Sequence, residues 1–232
     1  LGATLTQPKY QWSLEFFQKQ FTQLLEYREN AAYITSALNW EKTVTQGTGE
    51  AQGIECLIEK RTGKLTGWAS YSLMYNNRQF NDLNHGKIFP SRYDRRHNFY
   101  LVGMYRASQH WLISGSWTYN SGFAYTLPIG VYQSPTAEDP YAEVFIYGDR
   151  NNARARDNHR LDISAQYVVK HKQFQETWSL GIYNVYNRQN PFFITFAYND
   201  QGERRLTQLS LRKVHFKSSS SLLKKFGRYS IA

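Results

Sequence analysis

Hydrophobic and polar residues alternate along most of this chain. From Leu65 to Tyr75 one set of positions reads Leu65, Gly67, Ala69, Tyr71, Leu73, Tyr75 and the other Thr66, Trp68, Ser70, Ser72, Met74. From Arg160 to Val169, Leu161, Ile163, Ala165, Tyr167 and Val169 alternate with Arg160, Asp162, Ser164 and Gln166, with Val168 the one exception. A period of two puts each set on its own face of a β-strand and does not suit a helix. The same pattern predicts strands at Tyr10 to Lys19, Gly53 to Lys60, His97 to Arg106, Trp111 to Tyr119, Thr177 to Tyr186, Phe192 to Tyr198 and Arg205 to Leu211. The connections alternate too. Short polar turns (Arg61 to Lys64, Ala107 to His110, His171 to Gln175, Asp200 to Glu203) are interleaved with long segments (Phe21 to Gln52, Asn76 to Arg96, Asn120 to Asn158).

Composition then narrows the class. Aromatic residues make up 16% of the chain, with 18 Tyr, 14 Phe and 6 Trp, yet the mean hydropathy is -0.63. No segment offers the apolar run of about 18 residues that a membrane-crossing helix needs. A transmembrane β-barrel needs an apolar residue only at alternate positions, and it concentrates Tyr, Trp and Phe at the two membrane interfaces. The expectation is therefore an all-β, antiparallel transmembrane β-barrel with short turns on the periplasmic side and long loops outside. A soluble β-sandwich fits less well, because its core favours Val, Ile and Leu over the Tyr, Trp, Gly and Ala found here. An even strand number calls for an inward strand after Leu211. The tail RKVHFKSSSSLLKKFGRYSIA is not expected to supply it, since it lacks sustained alternation.

Charge changes the picture only locally. The formal charge is +10, but eight of the 28 Lys and Arg residues lie between Arg204 and Ala232, leaving 20 basic against 18 acidic residues before them. A basic, Ser-rich tail reads as a solvated or disordered segment, and no nucleic-acid partner is expected. Cys56 is the only cysteine, which excludes an intramolecular disulfide. Leu1 to Tyr10 has no charged n-region or apolar h-region, so the sequence reads as cytosolic or as an internal piece of an exported protein.

Candidate chemistry is sparse. His97 in RYDRRHN and His159 in RDNHRLD lack a second metal ligand at close spacing, and no nucleophile-elbow, phosphate-loop or dinucleotide motif is present. No catalytic residues, metal site or cofactor are expected. Arg92, Asp94, Arg95, Arg96, Asp157, Arg160 and Asp162 are expected to pair as rim and lumen charges across neighbouring strands. The long segment Asn120 to Asn158 carries Phe123, Tyr125, Tyr132, Tyr141, Phe145 and Tyr147 beside Asp139, Glu143, Asp149 and Arg150. Aromatic faces with interspersed charges suit sugars, haem-like rings or metal chelates, and equally suit packing of the loops against one another. Phe123, Tyr125, Tyr132, Tyr141, Tyr147 and Arg150 are the candidate ligand-binding residues.

Longer segments add a family likeness. NWEKTVTQGTGEAQGIECLIEKRTGKLTGWASYSL and RQFNDLNHGKIFPSRYDRRHNFYLVG resemble the distal barrel of TonB-dependent outer-membrane receptors that carry a carboxypeptidase-like N-terminal domain. NNARARDNHRLDIS, WSLGIYNVYNRQNPFFITF and RRLTQLSL resemble the same barrel in the same order, so the likeness covers Tyr10 to Leu211. It implies about nine C-terminal strands of a 22-stranded plugged barrel. Residues 1–211 would be its distal part, and residues 212–232 an atypical basic tail, disordered or frameshifted, in place of the family's last strand. The implied function is uptake of a scarce nutrient (siderophore, haem, cobalamin or glycan) across the bacterial outer membrane. The implied partners are outer-membrane lipid, a plug domain, the TonB complex and a small-molecule or glycan ligand. Two other readings compete: a soluble all-β carbohydrate-binding module and an outer-membrane hydrolase.

Overall fold

The computed structural model describes residues 1–28, 40–134, 143–172, 174–198, 204–210 and 215–224. Long strands dominate it: β1 (Gly2–Thr6), β2 (Tyr10–Tyr27), β3 (Val44–Lys60), β4 (Leu65–Gln79), β5 (Phe89–Pro90), β6 (His97–Arg106) and β7 (Trp111–Asn120). The second half adds β8 (Ala124–Tyr125), β9 (Pro128–Gln133), β10 (Glu143–Tyr147), β11 (Ala153–Arg154), β12 (Asn158–Lys170), β13 (Phe174–Tyr183), β14 (Pro191–Tyr198), β15 (Arg204–Ser210) and β16 (His215–Lys224). One turn of helix, α1 (Trp40–Thr43), precedes β3. Ten strands form one antiparallel sheet in the order β1-β2-β3-β4-β6-β7-β12-β13-β16, with β5 beside β4. The remaining strands form three two-stranded ribbons, β9 with β10, β8 with β11 and β14 with β15. Among the described residues the sheet is open, with β1 and β16 at its edges.

The register sorts the two faces. Trp12 lies opposite Ile58 and Leu14 opposite Cys56; Ile58 lies opposite Ala69 and Cys56 opposite Tyr71. The row continues through Leu101 opposite Ala69, Trp117 opposite Leu101, Leu161 opposite Trp117 and Leu180 opposite Ala165. Directly opposed residues share a face, so the apolar sets of all these strands combine into one continuous surface. The other face carries Ser13, Glu15, Glu55, Ser70, Ser72, Asn98, Ser116, Asp162, Ser164 and Ser179. No apolar-face side chain is buried among the described residues; Ile163 stays 40% exposed and Leu180 56%. A globular sheet would bury such a surface under a second layer.

The long connections all leave from one end of the sheet and the short turns from the other. In the turn between β3 and β4, Gly63 has φ +103°, a left-handed conformation that costs glycine no Cβ clash. What is buried lies at the long-loop end. Phe80, Leu83 and Phe89 form a small cluster, against which Leu24 of β2 packs. Gly47 and Gly49 make room for it, because a Cβ at Gly47 would collide with the Phe80 ring and one at Gly49 would meet the Leu24 side chain at 2.7 Å.

Three features differ from the sequence reading. β2 and β3 pair well beyond Lys19 and Gly53, as far as Tyr27 and Val44, which shortens the connection expected from Phe21 to Gln52. β1 is an unexpected edge strand, too short to show a period on its own. The largest correction concerns the tail, where His215–Lys224 is a strand paired with the whole length of β13. The expected neighbour of β13, the segment beginning at Phe192, instead pairs with β15 in a separate ribbon. Ladder hydrogen bonds use backbone groups alone. Ser218 to Ser221 can therefore occupy a strand position although their sequence shows no alternation.

This pairing sets Ser179 directly opposite Ser219, with the Cα atoms about 5 Å apart, within disulfide reach. In a Cys56→Ser background, oxidation of the Ser179→Cys/Ser219→Cys variant is expected to give an intrachain crosslink visible on a non-reducing gel. Absence of the crosslink would mean that another strand occupies the edge of β13.

Candidate functional site at the long-loop end

A bulge in β2 starts the site. Pairing shifts by one residue between Phe21 and Leu24, and Gln23 within the shift has φ 61°. The extra residue flips the parity of the strand. Beyond it Leu24 and Glu26 point to the polar face, opposite Gly47 and Thr45, whereas unbroken alternation from Leu14 would put both on the apolar face. Glu26 thereby meets Arg78, which continues the polar set of β4. The Arg78 guanidinium donates to Glu26 Oε2 at 2.9 Å, and Arg150 approaches Glu26 Oε1 at 3.4 Å. One carboxylate thus serves two cations.

The loops are held over this pair by asparagines. Asn84, His85 and Asn151 have φ between 53° and 55°, a left-handed conformation that asparagine adopts more readily than most residues. The backbone N–H of Arg150 donates to buried Asn84 Oδ1 at 2.7 Å, and the Asn151 side-chain amide donates to Pro90 O at 2.7 Å. The segment around residues 148–152 is thereby fixed to the segment following β4. A second knot forms around Asp94, which is fully buried. Its carboxylate accepts from the backbone N–H of Asn76 at 2.9 Å, from Arg96 Nε at 3.4 Å and from the Arg154 guanidinium. Arg154 also donates to Gly122 O at 3.3 Å, which ties together the segments on both sides of β7.

Between these knots lies a cavity of about 250 Å³ lined by Glu26, Arg78, Phe89, Arg92, Phe123, Tyr125, Thr126, Arg150, Asn151 and Ile194. Arg150 sits 5.6 Å from the Phe89 ring centroid and Arg92 5.7 Å from that of Phe123, distances at which a guanidinium is attracted to an aromatic face. Among the described residues Arg92 has no carboxylate partner.

Of the six residues expected to bind a ligand, Phe123, Tyr125 and Arg150 line this cavity. Tyr132 and Tyr147 do not; they sit half exposed on the β9–β10 ribbon. Tyr141 lies outside the described residues. Arg78 was accessible to sequence reasoning, since it extends the period-two run of β4 by two strand steps beyond Asn76. Glu26 was not, because the bulge reverses its face. The histidines engage in ordinary polar contacts: His97 Nδ1 lies 2.9 Å from the Tyr71 hydroxyl and His159 Nδ1 2.8 Å from that of Tyr186. No group of three or more His, Cys, Asp or Glu side chains suited to a metal ion occurs among the described residues.

The expected cross-strand charge pairing holds for few of these residues: Arg96 pairs with Asp94 two residues away, and Arg92 and Arg95 lie near the Phe123 ring with no carboxylate partner among the described residues. Arg160 pairs along its own strand with Asp162, Nε to Oδ2 at 2.9 Å, and stacks 4.2 Å from the Tyr183 ring centroid. Residues two apart share a face, and the long arginine side chain spans that step.

Asp94→Ala removes the anion that buries beside Arg154 and Arg96, at an expected cost of about 3 kcal/mol. The readout is limited proteolysis: cleavage between residues 120 and 158 should accelerate well before the long strands are attacked. Comparison of the sequence with models of protein families, with curated proteins and with solved structures finds no match.

Proposed function

We propose that this chain forms part of the wall and outer mouth of a bacterial outer-membrane transport receptor of the TonB-dependent kind. The observation that carries the reading is the uncovered apolar face. On β7 it runs Trp111, Ile113, Gly115, Trp117, Tyr119, and on the opposing β12 Tyr167, Ala165, Ile163, Leu161, His159. Aromatic or imidazole rings stand at both ends with aliphatic residues or glycine between them, the arrangement of a lipid-facing belt. From Leu65 to Tyr75 the apolar row of β4 extends about 33 Å along the strand. At a tilt of about 40° it would cover about 25 Å of membrane. The polar face would line the interior, and the long loops would form the outer opening.

Hydrocarbon offers no partners for unpaired backbone groups, so the edges at β1 and β16 require further strands in a closed barrel, 22 in all on the family likeness. A plug domain moved by the TonB complex would gate the path, and the nutrient would bind from outside. No covalent chemistry is required of this chain. The alternative, a soluble all-β carbohydrate-binding module, could use the half-exposed Tyr132 and Tyr147 as a sugar platform, but it would leave the whole apolar face in water.

Expression of the chain behind an export signal, within a barrel whose further strands close its two edges, followed by cell fractionation tests the reading directly. Recovery in the outer-membrane fraction, extractable only with detergent, is expected; a clean soluble periplasmic protein would sink it. A sharper test contrasts neighbours on β12. In lipid vesicles Ile163→Arg should destabilise the folded chain by about 2–4 kcal/mol, measured as a lowered urea midpoint, while Ser164→Arg on the polar face should cost far less. Equal costs would remove the assignment of faces to lipid and water.

A further inference from the structure

We infer that the cavity at the long-loop end is an oxyanion subsite, taking one carboxylate, phosphate or sulfate group attached to a small ring. The charge balance of the lining points there. Arg78, Arg92 and Arg150 face a single carboxylate, Glu26, so the cavity carries two cations in excess. Glu26 is already shared, at 2.9 Å to Arg78 and 3.4 Å to Arg150, and Arg92, over the Phe123 ring, has no carboxylate partner among the described residues. An arginine donates through five N–H groups, and one shared carboxylate does not satisfy three such sets. A bound oxyanion would supply the missing acceptors and bring the local charge toward neutrality.

The other half of the lining selects what the anion is attached to. Phe89, Phe123 and Tyr125 supply flat apolar walls, and Ile194 closes one side. A volume of about 250 Å³ is below the range of about 300–1,000 Å³ typical of whole-ligand pockets. It suits one charged end of a ligand whose remainder lies outside. A neutral glycan would accept hydrogen bonds from the guanidiniums but leave their excess charge uncompensated, so the inference favours an anionic solute among the nutrients considered above. It rests on the transport reading only for the side from which that ligand arrives.

The test uses the full chain in phosphatidylcholine vesicles, with phenyl phosphate as the probe and benzyl alcohol as its neutral counterpart. Binding is measured by equilibrium dialysis. Phenyl phosphate should bind and benzyl alcohol should not. Arg92→Gln, at an exposed loop position, should weaken binding about tenfold, the loss of one charge-assisted contact. Glu26→Gln removes the competing internal anion while keeping the side-chain shape, and should tighten binding. Opposite signs at these two positions are not expected from general damage to the fold. A parallel arm adds phosphatidylglycerol to the vesicles. If its headgroups reach the cavity, they will compete with the probe in wild type and less in Arg92→Gln, which keeps the chemistry and assigns the source to lipid. Equal binding of the neutral probe, or binding indifferent to both substitutions, overturns the subsite. Failure of the transport reading appears separately, as loss of outer-membrane recovery with anion binding retained.

Discussion

The register of the antiparallel ladder is the constraint on which everything else depends. Side chains repeat every two residues along a strand, so a slip of one residue in any pairing would carry the apolar set of that strand to the opposite face. Across β1 to β13 the pairings keep Leu5, Trp12, Ile58, Ala69, Leu101, Trp117, Leu161 and Ile182 on one side. The backbone is satisfied strand by strand within the sheet. Hydrophobic burial is left outside it, because no second layer covers the apolar face among the described residues. The strands and their pairing can be specified without a core, but the free energy of that face depends on what surrounds it.

Where the ladder is interrupted, the molecule gains the cavity at its long-loop end. The bulge at Gln23 turns Leu24 toward Phe80 and Leu83, and Glu26 toward Arg78, in a single step. Apolar packing and ion pairing at the long-loop end thus share one backbone origin. Asparagines in left-handed conformations then fix the loops, since their side-chain amides can reach backbone groups of a neighbouring segment without a strand between them. The result is a hydrogen-bonded rim on the polar face, joined through Asp94 and Arg154 to the segments on both sides of β7. A rigid scaffold that positions loops in this way is the usual setting for a binding site.

The two faces of the sheet divide the functional argument. The apolar face, with aromatic ends and an aliphatic middle, is what the proposed membrane setting rests on. The polar face and its rim bear on what is bound, through the excess of guanidinium over carboxylate. Among the described residues neither face gathers three or more side chains suited to a metal ion, and the transport role proposed above rests on the apolar face alone.

The sequence alone determined the positions of the long strands other than β16, the segregation of their faces and the alternation of long and short connections as far as Phe174, because each follows from local periodicity and turn residues; the turn expected at 200–203 lies outside the described residues. Phe123, Tyr125 and Arg150 were legible as candidate contacts from composition within one long segment. Only the tertiary structure decided that Glu26 faces Arg78, since a bulge is a register event between two strands and leaves no local mark. Only it separated Tyr132 and Tyr147 from the cavity, and only it set the Ser-rich segment of β16 beside β13 in place of β14. Pairing partners far apart in sequence are chosen by backbone hydrogen bonding and available edges, and side-chain periodicity carries no information about which edge is taken.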